Sequence, residues 1–326
     1  MARVYYDSDA SLNPLSGKRV AVIGYGSQGR AQALNIRDSG IETVIGLRGE
    51  GKSYEAAVKD GFTPIPIEEA VRISDVILML IPDVPMPETY KNYVENSLTP
   101  GKTLVFAHGY NIHYKRIIPP PYVNVVLVAP KGPGPLVRQK YLEGRGVPSL
   151  IAVHQNPTGN AKEIALAIAK AIGATRAGVI ETTFQEETET DLLGEQAVLV
   201  GGVMELIKKG FEFLVENGYQ PELAYYEVCN ELKLIVDLIY SGGLMHMLRS
   251  VSDTAKFGGL TIGPQIIDET VKQKMQEALR RIKSGEFEKM WTGNPNAYKI
   301  LEELMRKTEQ HPLEVVGKRL REMALI

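Results

Sequence analysis

The pattern of apolar and polar positions changes character once along the 326-residue chain. In the first part, short apolar runs alternate with helix-period segments. KRVAVIG (18–24), TVIGL (43–47), DVILMLIP (75–82, stopped by Pro82), TLVFAHG (103–109), VNVVLVAP (123–130) and SLIAVHQ (149–155) read as strands. Between them a glycine-rich turn opens a helix through about Ser39, SYEAAVKDG (53–61) gives a second, and EIALAIAKAIGA (163–174) a third; RAGVIETTF (176–184) closes this half. Short apolar strands alternating with helices predict an α/β, Rossmann-like, doubly wound parallel sheet. After about Thr182 long helical patterns cover 188–217, 221–241, 243–257 and 264–284 with no convincing strand, which predicts an all-α second domain. The expected division is 1–182 for the dinucleotide-binding domain and 183–326 for the helical one. The tail from Gly293 carries GNPN and QHP breaks around short helices, with a mobile end expected.

Composition changes this picture little. The chain is 44% hydrophobic and 23% charged with net charge −2, so nothing draws it to nucleic acid or an anionic membrane. No run of about 18 apolar residues is present, and the start, MARVYYDSDASLNPLSGK, lacks the apolar stretch of a signal peptide. The single cysteine, Cys229, fits a reducing compartment. A cytoplasmic protein with a small-molecule partner is expected.

Gly24-Tyr25-Gly26-Ser27-Gln28-Gly29 is a G-x-G-x-x-G between a strand and a helix. Its glycines permit a tight turn, close approach to a pyrophosphate and close helix–sheet packing, with the helix N-terminus facing the anion. In a strand–turn–helix setting it predicts dinucleotide binding. The second strand ends in Gly46-Leu47-Arg48, followed by Gly49-Glu50-Gly51-Lys52-Ser53. Arg48, Lys52 and Ser53 suit a 2′-phosphate by charge-assisted hydrogen bonds, which favours NADPH. Glu50 suits a 2′-hydroxyl and leaves NADH open, and a solvated loop is the plainer alternative.

Two carboxylate pairs at helical i,i+4 spacing lie in otherwise apolar stretches: Asp191 and Glu195, then Glu227 and Glu231. Like charges four apart share a helix face and repel, and acids in apolar surroundings need a partner. Oxygen-only ligands point to Mg²⁺. Phe184–Met204 contains no Lys or Arg but five acids, with Glu181 just before it. Glu187 extends the first stripe by one turn, either behind the ligands or in solvent. Near the second pair Lys233 offers an ordinary charge balance instead. The five histidines and Cys229 show no zinc spacing. His108 and Lys131, the latter in Pro130-Lys131-Gly132-Pro133-Gly134, stand at adjacent strand ends, where ligands of open α/β sheets bind. Ser252 reads either as a helix cap or as a site residue.

With these stretches in view the chain resembles the ketol-acid reductoisomerase family, in its short class I form. GYGSQGRAQALNIRDSG (24–40), VFAHGYNIHY (105–114), VAPKGPGPLVR (128–138), TTFQEETETDLLGEQAVLVGG (182–202), NELKLIVDLIYSGG (230–243), SVSDTAKFGG (250–259) and HPLEVVGKRLREM (311–323) carry the likeness over nearly the whole length. Arg30, Gln32, Leu193 and the Val228-Cys229-Asn230 run depart from it, as does the cofactor loop. The resemblance implies alkyl migration in 2-acetolactate or its ethyl homologue, then reduction by NADPH, in valine and isoleucine synthesis. It also implies two Mg²⁺ ions, a knotted helical domain and at least a homodimer. Asp191 and Glu195 would come from one subunit, and Glu227, Glu231 and Ser252 from the other. In that scheme Asp191 bridges the metals, Glu195 and Glu227 ligate them, and Glu231 acts through water. Lys131 orients waters and relays protons, His108 lines the crevice beside the cofactor, Gly134 borders the cofactor, and Ser252 holds the substrate carboxylate. Two rival readings are a metal-free β-hydroxyacid dehydrogenase, for which the four acids are superfluous, and a nicotinamide-sensing binding protein.

Overall fold

The computed structural model describes residues 2–324. By compactness the chain divides after Thr188. The first unit is built on nine strands: β1 (Val4–Tyr5), β2 (Arg19–Ile23), β3 (Glu42–Leu47), β4 (Ile65–Pro66), β5 (Val76–Met79), β6 (Thr103–Phe106), β7 (Asn124–Pro130), β8 (Ser149–Gln155) and β9 (Val179–Glu181). Their order in the sheet is β1-β9-β8-β7-β6-β5-β2-β3-β4. From β4 to β7 all pairs are parallel. Ile23 stands level with Gly46 on one side and Met79 on the other, and Met79 with Phe106, so the carboxyl ends of the central strands align.

The strands are uniformly apolar because both faces are covered. On one face Val20, Val22, Val76, Leu78, Val105, Val126 and Val128 pack with Leu34, Ile36, Ile164 and Ile168 from helices Ser27–Asp38 and Ala161–Ala171. On the other, Ala21, Ile23, Ile77, Met79, Leu104, Phe106 and Leu127 meet Ile67, Val71, Met86 and Ile112. Each fully buried Val, Leu, Ile, Met or Phe side chain among them contributes roughly 1.5–3 kcal/mol.

The sheet departs from the all-parallel expectation in two places. β8 runs antiparallel to β7, and β1 antiparallel to β9. The first has a local cause. After β7 the helix Gly134–Leu142 packs on helix Ser27–Asp38 instead of crossing back over the sheet. The chain therefore re-enters where it left: Pro130 is level with Ser149, and Lys131 N–H donates to Pro148 O at 2.8 Å. A Cβ on Gly134 would stand 2.0 Å from Ser27 O, so only glycine allows this approach.

The second unit is helical, with Gly201–Glu216, Glu231–Ser250, Asp253–Ile266, Glu269–Lys283, Ala297–Glu309 and Pro312–Ala324 as its long elements. The helix expected over 243–257 is instead divided. Gly243 (φ 79°) kinks Glu231–Ser250, and Val251 is extended before a new helix begins at Asp253. Two π turns, Glu195–Leu199 and Tyr226–Asn230, interrupt the α geometry, each closed by an i→i+5 bond (Val200 N–H to Glu195 O, Glu231 N–H to Tyr226 O). Phe211, Ala224, Tyr225, Leu313 and Leu320 form a small buried cluster. Large apolar side chains elsewhere in this unit are exposed, among them Tyr240 (83%) and Phe257 (74%). Among the described residues no helix is long and apolar enough to cross a membrane. The expectation of a mobile end extends to residues 325 and 326, which lie outside the described residues.

Candidate active site

The sheet reverses its winding between β2 and β5, and the carboxyl ends of these strands and β3 border a cavity of about 480 Å³. Gly24, Tyr25 and Gly26 line it from the turn after β2, Arg48–Ser53 from the loop after β3, and Leu80–Pro82 from beyond β5. The turn is as tight as its glycines require. Gly24 has φ 96°, and a Cβ on Gly29 would meet Gly24 O at 2.3 Å. Gln28 Nε2 donates to Gly132 O at 2.9 Å, tying the turn to the loop beyond β7. Arg48, Lys52 and Ser53 therefore share one cavity with the glycine-rich turn, as does Glu50. Cavity size, open backbone N–H groups at the helix start and basic side chains at one end fit a dinucleotide.

A second cluster lies in the same unit. The Oγ1 of Thr183 accepts from Glu186 N–H at 3.0 Å and starts the helix Phe184–Gly194. Phe184, 5% exposed, anchors that helix edge-on against Phe106 with ring centroids 6.4 Å apart. One turn in, Glu187 is 1% exposed. Its carboxylate accepts from Gly109 N–H at 2.7 Å, from His108 Nδ1 at 3.0 Å and from Lys131 Nζ at 3.3 Å. Burial raises its pKa, but the His108 hydrogen bond, the His108 and Lys131 charges and the Gly109 N–H outweigh that, holding it below the ordinary glutamate range. A carboxylate only accepts, so Nδ1 of His108 carries the proton shared with it. A Cβ on Gly109 would come within 2.5 Å of Thr188 Oγ1 and 3.1 Å of Glu187 Oε2, so glycine is required there too.

The structure thus joins His108 and Lys131 through Glu187, the residue whose role the sequence left undecided. A buried acid at helical spacing from Asp191 looks, in sequence, like one more member of a solvated stripe. Asp191 is half-buried one turn further along this helix, and Glu195 begins the π turn that ends it. Glu227 lies inside the second π turn and Glu231 begins the following helix; both are exposed. Lys233 does not balance them. It pairs with Asp237, and among the described residues no Lys or Arg lies within ion-pair distance of Glu227 or Glu231. The Oγ of Ser252 accepts from Ala255 N–H at 3.2 Å as the cap of helix Asp253–Ile266. That is the ordinary use of such a serine, and it leaves the hydroxyl proton to donate.

A reversed α/β sheet with a glycine-rich cradle, beside a histidine, lysine and glutamate held in one network, defines a Rossmann-type nicotinamide oxidoreductase. Residues 14–178 match the acetohydroxy acid isomeroreductase NADPH-binding domain, and residues 184–325 the ketol-acid reductoisomerase C-terminal domain. The ketol-acid reductoisomerase (NADP(+)) of Pyrococcus abyssi is 58% identical over 99% of this chain and 98% of its own. The ketol-acid reductoisomerase (NAD(P)(+)) of Metallosphaera sedula is 56% identical over 99% and 97%. The solved structure of an NADH-preferring ketol-acid reductoisomerase from an uncultured archean superposes with a TM-score of 0.93 at 47% identity, covering 98% of both chains. The chain belongs to the ketol-acid reductoisomerase family.

Proposed function

We propose that the protein converts 2-acetolactate, or 2-aceto-2-hydroxybutyrate, to the 2,3-dihydroxy-3-methyl acid, with NADPH and two Mg²⁺ ions. The observation that carries this reading is the presence, in one chain, of a dinucleotide cradle and of carboxylates, Glu227 and Glu231, that no Lys or Arg among the described residues neutralises. Four carboxylates and no soft donor suit Mg²⁺. When bound, the metal supplies Lewis acidity at adjacent substrate oxygens and the dinucleotide supplies the hydride. The chain's own residues do the rest. Asp191, Glu195, Glu227 and Glu231 would hold the ions. Lys131 moves the proton that leaves the substrate hydroxyl, and Glu187 fixes both Lys131 and the His108 tautomer. His108 and Gly134 border the nicotinamide side of the crevice, and the Ser252 hydroxyl donates to the substrate carboxylate.

Exposed apolar side chains in the helical unit (Leu199, Leu244, Phe257, Leu260) support a homodimer or larger assembly of identical chains in which Glu227, Glu231 and Ser252 complete a neighbouring copy's site. A lone cysteine and the biosynthetic role support a cytoplasmic location.

The test is purified protein with acetolactate, Mg²⁺ and reduced nicotinamide, followed by nicotinamide absorbance. Turnover that EDTA abolishes is expected; no turnover with either dinucleotide sinks the proposal, and EDTA-insensitive reduction favours a metal-free hydroxyacid dehydrogenase. Replacing Arg48 and Ser53 together by Ala is expected to raise the KM for NADPH about a hundredfold, the loss of two charge-assisted contacts, while KM for NADH stays within about twofold. Equal changes for both would remove these residues from the 2′-phosphate site.

A further inference from the structure

We infer that Asp60 is a positioning residue of the dinucleotide site, locking the glycine-rich turn to the helix that carries the loop reading the cofactor's 2′ position. The inference rests on assigning the Gly24–Gly29 turn and the 48–53 loop to the cofactor. Tyr25, in the turn itself and 4% exposed, donates its hydroxyl to Asp60 Oδ2 at 2.9 Å. Arg30, on the helix the turn opens, donates Nε to Oδ2 at 2.6 Å and Nη2 to Oδ1 at 2.9 Å. This is the bidentate fork that fixes a carboxylate's orientation as well as its position. Arg37, two turns further along the same helix face, donates to the Asp60 carbonyl at 2.6 Å and lies 4.6 Å over the Phe62 ring. Phe62 in turn meets Tyr25 edge-on, with centroids 5.9 Å apart. The ring of contacts closes on itself.

Asp60 ends the helix Lys52–Lys59, and the other end of that helix presents Lys52 and Ser53 to the cavity that Tyr25 also lines. Eight residues of helix rise about 12 Å, a stiff strut between the Asp60 clamp and the loop. The clamp is sheltered on the acid's side: the Asp60 side chain is 13% exposed, against 53% for Arg30. The Arg30 guanidinium and then the Tyr25 hydroxyl hold the Asp60 carboxyl below the usual range. Packing of the Tyr25 ring in the core on this face of the sheet fixes where its hydroxyl stands, and Asp60 takes up that hydroxyl together with the Arg30 fork. The geometry gives the trio one shared effect, on where the turn and the loop stand relative to each other.

The experiment uses the full chain and five variants: Asp60→Asn, Tyr25→Phe, Arg30→Lys, Gly29→Ala and the Asp60→Asn/Tyr25→Phe double. Dissociation constants for NADPH and NADH are read from the nicotinamide fluorescence, alongside kcat, the KM for the ketol acid, and Tm. Asp60→Asn is expected to weaken NADPH about tenfold and to change the NADPH/NADH ratio at least about threefold. At saturating cofactor, kcat and the ketol-acid KM are expected to stay within about twofold of wild type, a split that general loosening of the fold does not produce. Tyr25→Phe shifts the same constants less, adds nothing to Asp60→Asn in the double variant, and Arg30→Lys falls between wild type and Asp60→Asn. A folded Asp60→Asn protein with both dissociation constants within twofold of wild type overturns the inference. So does a loss shared equally by cofactor and ketol acid. If Asp60→Asn does not fold, Tyr25→Phe and Arg30→Lys decide by the same criteria. Gly29→Ala failing to weaken NADPH would overturn the cradle assignment itself, a different outcome from failure of the clamp alone.

Discussion

Asp191→Asn and Glu227→Gln proteins are each expected to lose at least about a thousandfold in kcat, and mixing the two under conditions of subunit exchange is expected to restore activity. The amide in each variant keeps the side chain's shape and removes the charge that holds a divalent cation. In a hybrid dimer one site receives Asp191 from one copy and Glu227 from the other, both intact, while the second site carries both lesions. Random exchange makes half the dimers hybrid, each with one working site of two, so recovery reaches about a quarter of wild-type activity. The measurement is the acetolactate assay before and after mixing. Substantial activity in either parent removes that carboxylate from the metal site; dead parents without recovery on proven exchange place the two carboxylates in the same copy's site.

The second large effect belongs to Glu187→Gln. Glutamine keeps an oxygen for Gly109 N–H but no longer orients both the His108 Nδ1–H and the Lys131 ammonium. A fall in kcat of about a hundredfold is expected, in the range of a misplaced proton-transfer group, with the KM for NADPH little changed. Stability follows pH with a definite sign. The folded-state pKa of Glu187 lies below its unfolded value. Its contribution is therefore fully present above the unfolded value of about 4.3 and is lost as pH falls through the lower folded one. Unfolding measured at neutral pH should find the variant less stable than wild type, and the gap should close as the solution is acidified below that value. A wild-type kcat for Glu187→Gln would show that the network is architectural only.

Much of this was legible in the sequence, and the parts that were not have physical reasons. The glycine-rich turn announced itself because a tight turn before a helix tolerates few residue types. The central strands did so because a sheet covered on both faces needs unbroken apolar runs. Those same runs carry no direction, so the antiparallel set of β8 was invisible; it depends on where the helix Gly134–Leu142 packs. β1 and β4, two residues each, are too short to leave a pattern. The four acids stood out, but Glu187 did not, because burial of one carboxylate among many depends on Gly109 and His108, distant in sequence. Nor does i,i+4 spacing reveal that Glu227 and Glu231 are separated by a π turn instead of an α turn. Such turns recur at functional sites, where one extra residue re-aims a side chain.

The uncovered apolar side chains of the helical unit also bear on dosage. A single chain finishes its nucleotide domain alone but leaves Leu199, Tyr240 and Phe257 in water; in the proposed assembly of identical chains, stability and assembly would be one equilibrium. Where a second copy both shelters these groups and completes the site, active enzyme rises with the square of chain concentration below the dimer's dissociation constant. A cell that halves expression in that regime loses three quarters of its flux through the reaction, whereas above it the loss is only half.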